Sequence, residues 1–263
     1  RATLGPGKSL LMPRPGFEMF ARYAGLCGGR VDEYAWTEGT LPVDRILASV
    51  QPDTATIAVI SPNNPTGLAA RAEEVRRLAQ AIPDRLIIVD AAYAEFADDD
   101  LTAAALALPD TLVIRTLSKA WAAAGLRCGS VIAQPAVIAL LQRVIAPYPL
   151  PSPVVSLAMA MLEEATLQKQ ADLLHRVRGN KTRLLELLQD RSFVHRVFPG
   201  EANFVLIRVS DADGLLAYCA QRGVVLRGFP SEPALRDCIR ISVGSDEDLD
   251  HLAEALDAWE ARA

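Results

Sequence analysis

Short, almost uniformly apolar runs with helical stretches between them constrain the fold of this chain more than any other feature. The runs occupy residues 56–60, 86–89, 112–114 and 128–133. Strands that are apolar at nearly every position, instead of at every second one, are typical of a parallel sheet covered on both faces. The pattern therefore predicts an α/β fold, with a mainly parallel sheet flanked by helices.

A proline-rich segment at residues 145–153 divides the chain. It contains four prolines, which can continue neither a helix nor a central strand. We expect a large domain over residues 1–150 and a smaller C-terminal domain over residues 151–263. Within the first, residues 70–82 carry apolar side chains at helical spacing.

The second half of the chain has a different order of elements. Residues 154–188 are predicted to be helical. Candidate strands follow at residues 193–198, 203–209, 224–227 and 239–243, with helices at residues 211–222 and 246–261. This order predicts a small α+β domain.

Composition excludes several classes of protein. Acidic residues outnumber basic ones by 32 to 27, and no basic run could neutralise a row of phosphates, so we expect no nucleic-acid partner. The four cysteines and three histidines lack the spacing of a zinc site or a disulfide framework. No apolar stretch has the length of a membrane span, and we expect a cytoplasmic protein.

Polar motifs follow the apolar runs, at the strand ends where open α/β sheets bind ligands. Residues 61–67 read Ser-Pro-Asn-Asn-Pro-Thr-Gly and include Asn64; a plain turn is the alternative interpretation, because these residue types favour turns. The next run ends at Asp90, and Tyr93 follows it. A carboxylate there can cap a helix. If it is buried instead, it needs a cationic partner such as a pyridinium nitrogen.

The third run leads into Arg-Thr-Leu-Ser-Lys at residues 115–119. Most lysines are solvated surface charges. An apolar Ala-Trp-Ala-Ala-Ala segment follows Lys119, however, and we expect its amine to be partly desolvated and available for Schiff-base chemistry. Thr116, Ser118 and Arg127 together offer two hydroxyls and a planar guanidinium, which suit a phosphate dianion.

Read in order, these motifs and Arg-Ile-Ser-Val-Gly at residues 240–244 resemble the signature of fold-type-I aminotransferases, which use pyridoxal 5′-phosphate. Residues 115–129 and 144–150 are similar to the histidinol-phosphate branch of that family in particular. The resemblance implies transfer of an amino group between L-histidinol phosphate and 2-oxoglutarate, a step of histidine biosynthesis.

The resemblance also implies a role for each motif residue. Lys119 forms the Schiff base with the cofactor and then moves a proton between the substrate Cα and the cofactor. Asp90 pairs with the protonated ring nitrogen, while Asn64 and Tyr93 hydrogen-bond the phenolic oxygen. Phe17 matches an aromatic residue that stacks on the ring; a core phenylalanine is the alternative.

Two arginines in the second half match substrate-binding positions. Arg240 interrupts an apolar strand, where a guanidinium without an anionic partner is costly. The resemblance assigns it, together with Asn64, to an anionic group of the substrate. Arg227 matches an arginine that helps to hold the substrate phosphate, with a surface role as the alternative. The resemblance further implies a homodimer.

The chain departs from the family at two points. Members normally carry a further N-terminal segment, whose small-residue turn binds the cofactor phosphate and whose tyrosine reaches the neighbouring subunit; without it we expect weaker cofactor binding. Arg14 stands where a small residue or proline is common. The alternatives to the implied function are an aromatic amino-acid aminotransferase or a phosphothreonine decarboxylase on the same scaffold, and a non-catalytic remnant or sensing domain.

Overall fold

The computed structural model describes residues 2–198 and 200–262. The strands are β1 (Ser9–Arg14), β2 (Arg30–Ala35), β3 (Thr54–Ile60), β4 (Leu86–Asp90), β5 (Thr111–Thr116), β6 (Gly129–Ala133), β7 (Val194–Phe198), β8 (Phe204–Val209), β9 (Arg227–Gly228) and β10 (Cys238–Ser242). The helices are α1 (Met19–Leu26), α2 (Val43–Ser49), α3 (Ala72–Ala81), α4 (Thr102–Leu106), α5 (Pro135–Gln142), α6 (Ser152–Met161), α7 (Glu164–Leu188), α8 (Ala212–Gln221) and α9 (Asp246–Glu260).

The first sheet has the strand order β2-β1-β3-β4-β5-β6. Neighbouring strands run parallel, except that β6 is antiparallel to β5. Ile57, Val59 and Val89 in the central strands are fully buried, which explains why these strands are apolar at nearly every position. The predicted α/β fold with a mainly parallel sheet is confirmed. Because parallel strands end at a common edge, the polar residues that follow β3, β4 and β5 lie side by side.

Six elements of this half have no counterpart in the sequence-based prediction: α1, α2, α4, α5, the strand β1 and the edge strand β2. The edge strand is polar because it pairs only with β1, so most of its side chains face water. Arg30 in β2 forms ion pairs with Asp32 and Asp53, while Tyr34 packs in the core. A strand of this composition does not stand out from a loop in the sequence.

The second sheet is antiparallel, with the strand order β7-β8-β10-β9. Side chains of α7, α8 and α9 pack with β8 and β10 in one hydrophobic core. The predicted strand at residues 224–227 is wrong in extent, because only Arg227–Gly228 pairs with β10 and the Val225 side chain is 85% exposed. The predicted helical stretch is two helices, separated where Glu163 adopts extended backbone angles. The predicted domain boundary near residue 150, just before α6, stays a prediction.

A close backbone contact joins the two sheets near the end of β3. A Cβ atom built on Gly67 would lie 2.7 Å from the Gly200 Cα, and Gly67 has a φ of +74°, so both space and backbone geometry favour glycine. The Glu201 N–H donates to the Gly67 carbonyl at 2.7 Å, and the Glu201 carboxylate pairs with Arg71. Lys181 donates to the Ala202 carbonyl at 2.9 Å. These contacts fix the second sheet against the loop that carries Asn64.

The described residues also bear on three general features. Across residues 2–198 and 200–262, no helix combines the length and apolarity needed to cross a membrane. Within the same ranges, no group of three or more His, Cys, Asp or Glu side chains is arranged to hold a metal ion. Among the described residues, Cys128, Cys219 and Cys238 form no disulfide bond.

Candidate active site

A cavity of about 640 Å³ lies where the carboxyl edge of the first sheet meets the second sheet. Its walls include Phe17, Asn64, Tyr93, Lys119, Arg227 and Arg240. The first four come from loops that follow strands of the first sheet, whereas the two arginines come from β9 and β10. Six residues singled out from the sequence are thus brought to one space by the packing of the two halves.

Lys119 lies in the turn after β5, and its ammonium is 5.2 Å from the centre of the Tyr93 ring. The expectation that this amine is partly desolvated is wrong for the chain described here, because the Lys119 side chain is exposed. The apolar segment after it does not cover the amine. Trp121 turns instead to Glu95, to which its indole N–H donates at 3.4 Å, and Ala122 is exposed.

Asp90 is the last residue of β4 and is 9% exposed. Its Oδ1 accepts the Ala92 N–H at 3.0 Å. Burial raises the pKa of Asp90 above its usual value, while the Ala92 hydrogen bond and the charge of Lys119 act in the opposite direction. A buried carboxylate whose charge is this poorly solvated favours a cationic partner. The protonated ring nitrogen of pyridoxal phosphate is such a cation, so Asp90 fits the expected cofactor.

Asn64 and Arg240 connect the two sides of the cavity. The Arg240 Nη1 donates to the Asn64 Oδ1 at 2.7 Å, which leaves the Asn64 amide N–H groups as donors. The guanidinium also lies over the Phe204 ring, at 4.9 Å from its centre. Its Nε is buried without a hydrogen-bond partner. Burial lowers the pKa of Arg240; Arg227 lowers this pKa further, whereas Tyr93 raises it. An anionic ligand would satisfy both the charge and this donor.

The three residues expected to hold a phosphate stand apart from this wall. The Thr116 hydroxyl donates to Ser118 Oγ at 2.9 Å, and the Ser118 N–H donates to the Thr116 hydroxyl at 3.0 Å. Arg127 is exposed and donates to the Ala124 carbonyl at 2.9 Å. None of the three is among the described residues that line the cavity. Their role as phosphate ligands stays a prediction.

Other residues of the cavity were not identified from the sequence. Phe229, Ser231 and Glu232, in the loop after β9, also line the cavity. Phe204 stacks edge-to-face against Tyr93, with 5.4 Å between ring centres, and so holds that ring beside Lys119. No local signal marks these side chains, because each is brought to the cavity or to Tyr93 only by the packing of one sheet against the other.

Comparison with known proteins agrees with this geometry. Residues 1–256 match the family described as aminotransferase class I and II. The chain belongs to this family. Membership confirms the expected reaction class and the expected cofactor, pyridoxal phosphate.

The chain is similar to individual members of the aminotransferase family over nearly its whole length. It is 37% identical to a histidinol-phosphate aminotransferase of Xylella fastidiosa, over 97% of this chain and 72% of the relative. A solved histidinol-phosphate aminotransferase of Clostridium acetobutylicum superposes with a TM-score of 0.90 at 21% identity, over 97% of this chain and 79% of that one. One from Sinorhizobium meliloti, solved in complex with pyridoxal phosphate, superposes with a TM-score of 0.86 at 24% identity, over 98% of this chain and 72% of that one. The two solved structures establish the fold.

Proposed function

We propose that this aminotransferase transfers the amino group of L-histidinol phosphate to 2-oxoglutarate, as a step of histidine biosynthesis. The observation that carries the proposal is the meeting of a lysine amine with two arginines in one cavity. Neither Arg227 nor Arg240 forms an ion pair with a carboxylate of the described chain, whereas both expected substrates are anions. The name of the Xylella relative supports the same donor.

The residues of the cavity divide the work between the cofactor and the substrate. When bound, pyridoxal phosphate supplies an electron sink for the charge that develops at the substrate Cα. In the proposal Lys119 would hold the cofactor through its amine, and the same amine would carry the proton of the substrate Cα. Asp90 would keep the ring nitrogen protonated. Asn64 and Tyr93 would donate to the phenolic oxygen, and Phe17 would pack against the ring.

The two arginines are proposed to bind the substrate in both half-reactions. Arg240 would bind a carboxylate through the Nε that is buried without a partner, while its Nη1 stays on Asn64. Arg227, whose guanidinium lies 5.9 Å from the centre of the Phe229 ring, would meet the phosphate of the donor. One cavity with two cations can thus accept either a dicarboxylate or an amino-alkyl phosphate.

A substrate panel tests this proposal. Purified protein with added pyridoxal phosphate is incubated with 2-oxoglutarate and one amino donor: L-histidinol phosphate, L-phenylalanine or L-phosphothreonine. We expect glutamate to form fastest with L-histidinol phosphate. Faster glutamate formation with phenylalanine would replace the proposed activity with that of an aromatic aminotransferase. Release of carbon dioxide from phosphothreonine without glutamate formation would replace it with that of a phosphothreonine decarboxylase.

We also propose that the protein is a homodimer, because several apolar side chains are exposed between α5 and α7. They include Val144, Ile145, Tyr148, Leu157 and Met159, of which Tyr148 is 95% exposed. An apolar patch of this kind marks an interface more often than a free surface. The cytoplasmic location expected from the sequence belongs to the same proposal, and cell fractionation tests it.

Sedimentation velocity tests the dimer at micromolar concentration. We expect the unmodified protein to sediment as a dimer and Leu157→Asp to sediment as a monomer, because a charge buried in an apolar interface is costly. Val225→Asp is the matched control. Val225 is also apolar and exposed but lies next to the second sheet, so this variant should remain a dimer. A monomeric unmodified protein contradicts the proposal.

A further inference from the structure

The charged residues that line the cavity differ in whether they have a partner of opposite charge. Two acidic residues, Glu18 and Glu232, line it together with the cations Lys119, Arg227 and Arg240. A carboxylate in the wall repels an anionic substrate unless another charge cancels it. The affinity of the cavity for anions therefore depends on what neutralises these two acids.

Each lining acid has an arginine partner outside the lining. Glu18 pairs with Arg22 at 3.2 Å, one helical turn away, and both side chains are about two-thirds exposed. A pair of this kind contributes little. Glu232 differs, because its side chain is only 22% exposed and both of its oxygens accept from the Arg14 Nε, at 3.1 and 3.3 Å.

Arg14 is held in place by a second carboxylate. Its Nη1 donates to both oxygens of Glu33 in β2, at 2.9 and 3.0 Å. The two carboxylates raise the pKa of the Arg14 guanidinium, and the hydrogen bond to Glu33 is the largest cause. The guanidinium therefore stays charged. The other end of the contact is also anchored, since Glu232 Oε1 accepts the Ala234 N–H at 3.2 Å. Arg14 thereby ties the end of β1 to the loop after β9, which lines the cavity.

We propose that Arg14 is a positioning residue for anion recognition: it holds the Glu232 carboxylate and cancels its charge, so that Arg227 and Arg240 can attract a phosphorylated amino donor. The identity of that donor rests on the proposed function. The contribution of Arg14 to anion binding does not.

The test compares Arg14→Ala with Arg14→Ala/Glu232→Gln in the cofactor-loaded protein. In the single variant, we expect the KM for L-histidinol phosphate to rise about three- to tenfold, as one uncancelled charge near the binding site would cause, with kcat changed by less than about twofold. The double variant should restore the KM, because glutamine keeps the shape and the Ala234 hydrogen bond without the charge. The rise should shrink as salt is added.

Arg196→Ala is the matched control. Arg196 also pairs with a glutamate across the two halves of the molecule, at 2.9 Å from Glu38, but neither residue belongs to the described lining of the cavity. This variant should leave the KM unchanged. An equal rise in Arg196→Ala would show that loss of any such pair loosens the structure, and would overturn the proposal.

Calorimetric binding of inorganic phosphate separates this inference from the proposed function. We expect the phosphate Kd to rise in Arg14→Ala and to return in the double variant, whether or not the protein acts on histidinol phosphate. An unchanged KM and phosphate Kd in Arg14→Ala would overturn the inference. So would a rise that the double variant fails to reverse, because Arg14 would then act by shape and not by charge.

Discussion

Replacing Lys119 with alanine is expected to abolish both transamination and the visible absorbance of the lysine-bound cofactor. Loss of activity should be at least about a thousandfold, because the same amine forms the covalent bond and carries the proton. The fold should survive, since the side chain is exposed and contacts Tyr93 only at 5.2 Å from the ring centre. Absorbance spectra with added pyridoxal phosphate, steady-state rates and thermal unfolding measure the three quantities.

The matched control for Lys119 is Lys169→Ala. Lys169 is also exposed, but it lies in α7, far along the chain from the strand ends that form the cavity. This variant should keep both absorbance and activity. Borohydride reduction followed by peptide mapping identifies the modified lysine directly. Label on Lys181, whose amine binds backbone carbonyls where the two sheets meet, would remove Lys119 from the mechanism.

The candidate active site could largely be predicted because its residues sit at strand ends. Asn64 and Lys119 follow β3 and β5, and Asp90 is the last residue of β4; a parallel sheet brings those three strand ends to one edge without any further information. Arg240 could be predicted for another reason: a guanidinium in an apolar strand is unusual enough to require a partner. In both cases the local sequence contains the physical cause.

Long-range charge pairs could not be predicted in the same way. Arg14 and Glu232 are 218 positions apart, and Arg71 and Glu201 are 130 apart. All four are residue types that usually face water, so the sequence offers no reason to pair them. Lys119 shows the opposite error. Its apolar neighbours suggested a covered amine, but whether a short alanine-rich segment folds over a side chain depends on tertiary packing.

Asp90→Asn is expected to separate activity from stability. Asparagine has nearly the shape of aspartate and can still accept the Ala92 N–H, but it has no charge to hold the cofactor ring nitrogen protonated. The rate of transamination should fall on the order of 100-fold or more, as for the loss of one electrostatic contact to the reacting system. Single-turnover rates with L-glutamate as the donor measure this without depending on the identity of the second substrate.

Asp90→Asn should lower the rate but raise the stability of the cofactor-free protein. Because burial raises the pKa of Asp90, the folded protein binds this proton more tightly than the unfolded chain does. The stabilisation is complete below the ordinary pKa of an aspartate and is lost as the pH rises through the raised value. Asp90→Asn escapes that loss, so its melting temperature should exceed that of the unmodified protein at pH 8, with a smaller difference at pH 5.

Added pyridoxal phosphate should reverse this order at pH 8. The charged carboxylate, unfavourable when it is buried without a cation, then meets a cationic ring nitrogen, so the cofactor should raise the melting temperature of the unmodified protein more than that of Asp90→Asn. Equal cofactor-induced shifts would mean that Asp90 does not face the ring. If the cofactor-free variant were instead less stable at pH 8, the Asp90 charge would have a cationic partner within the protein, and its assignment to the cofactor would fail.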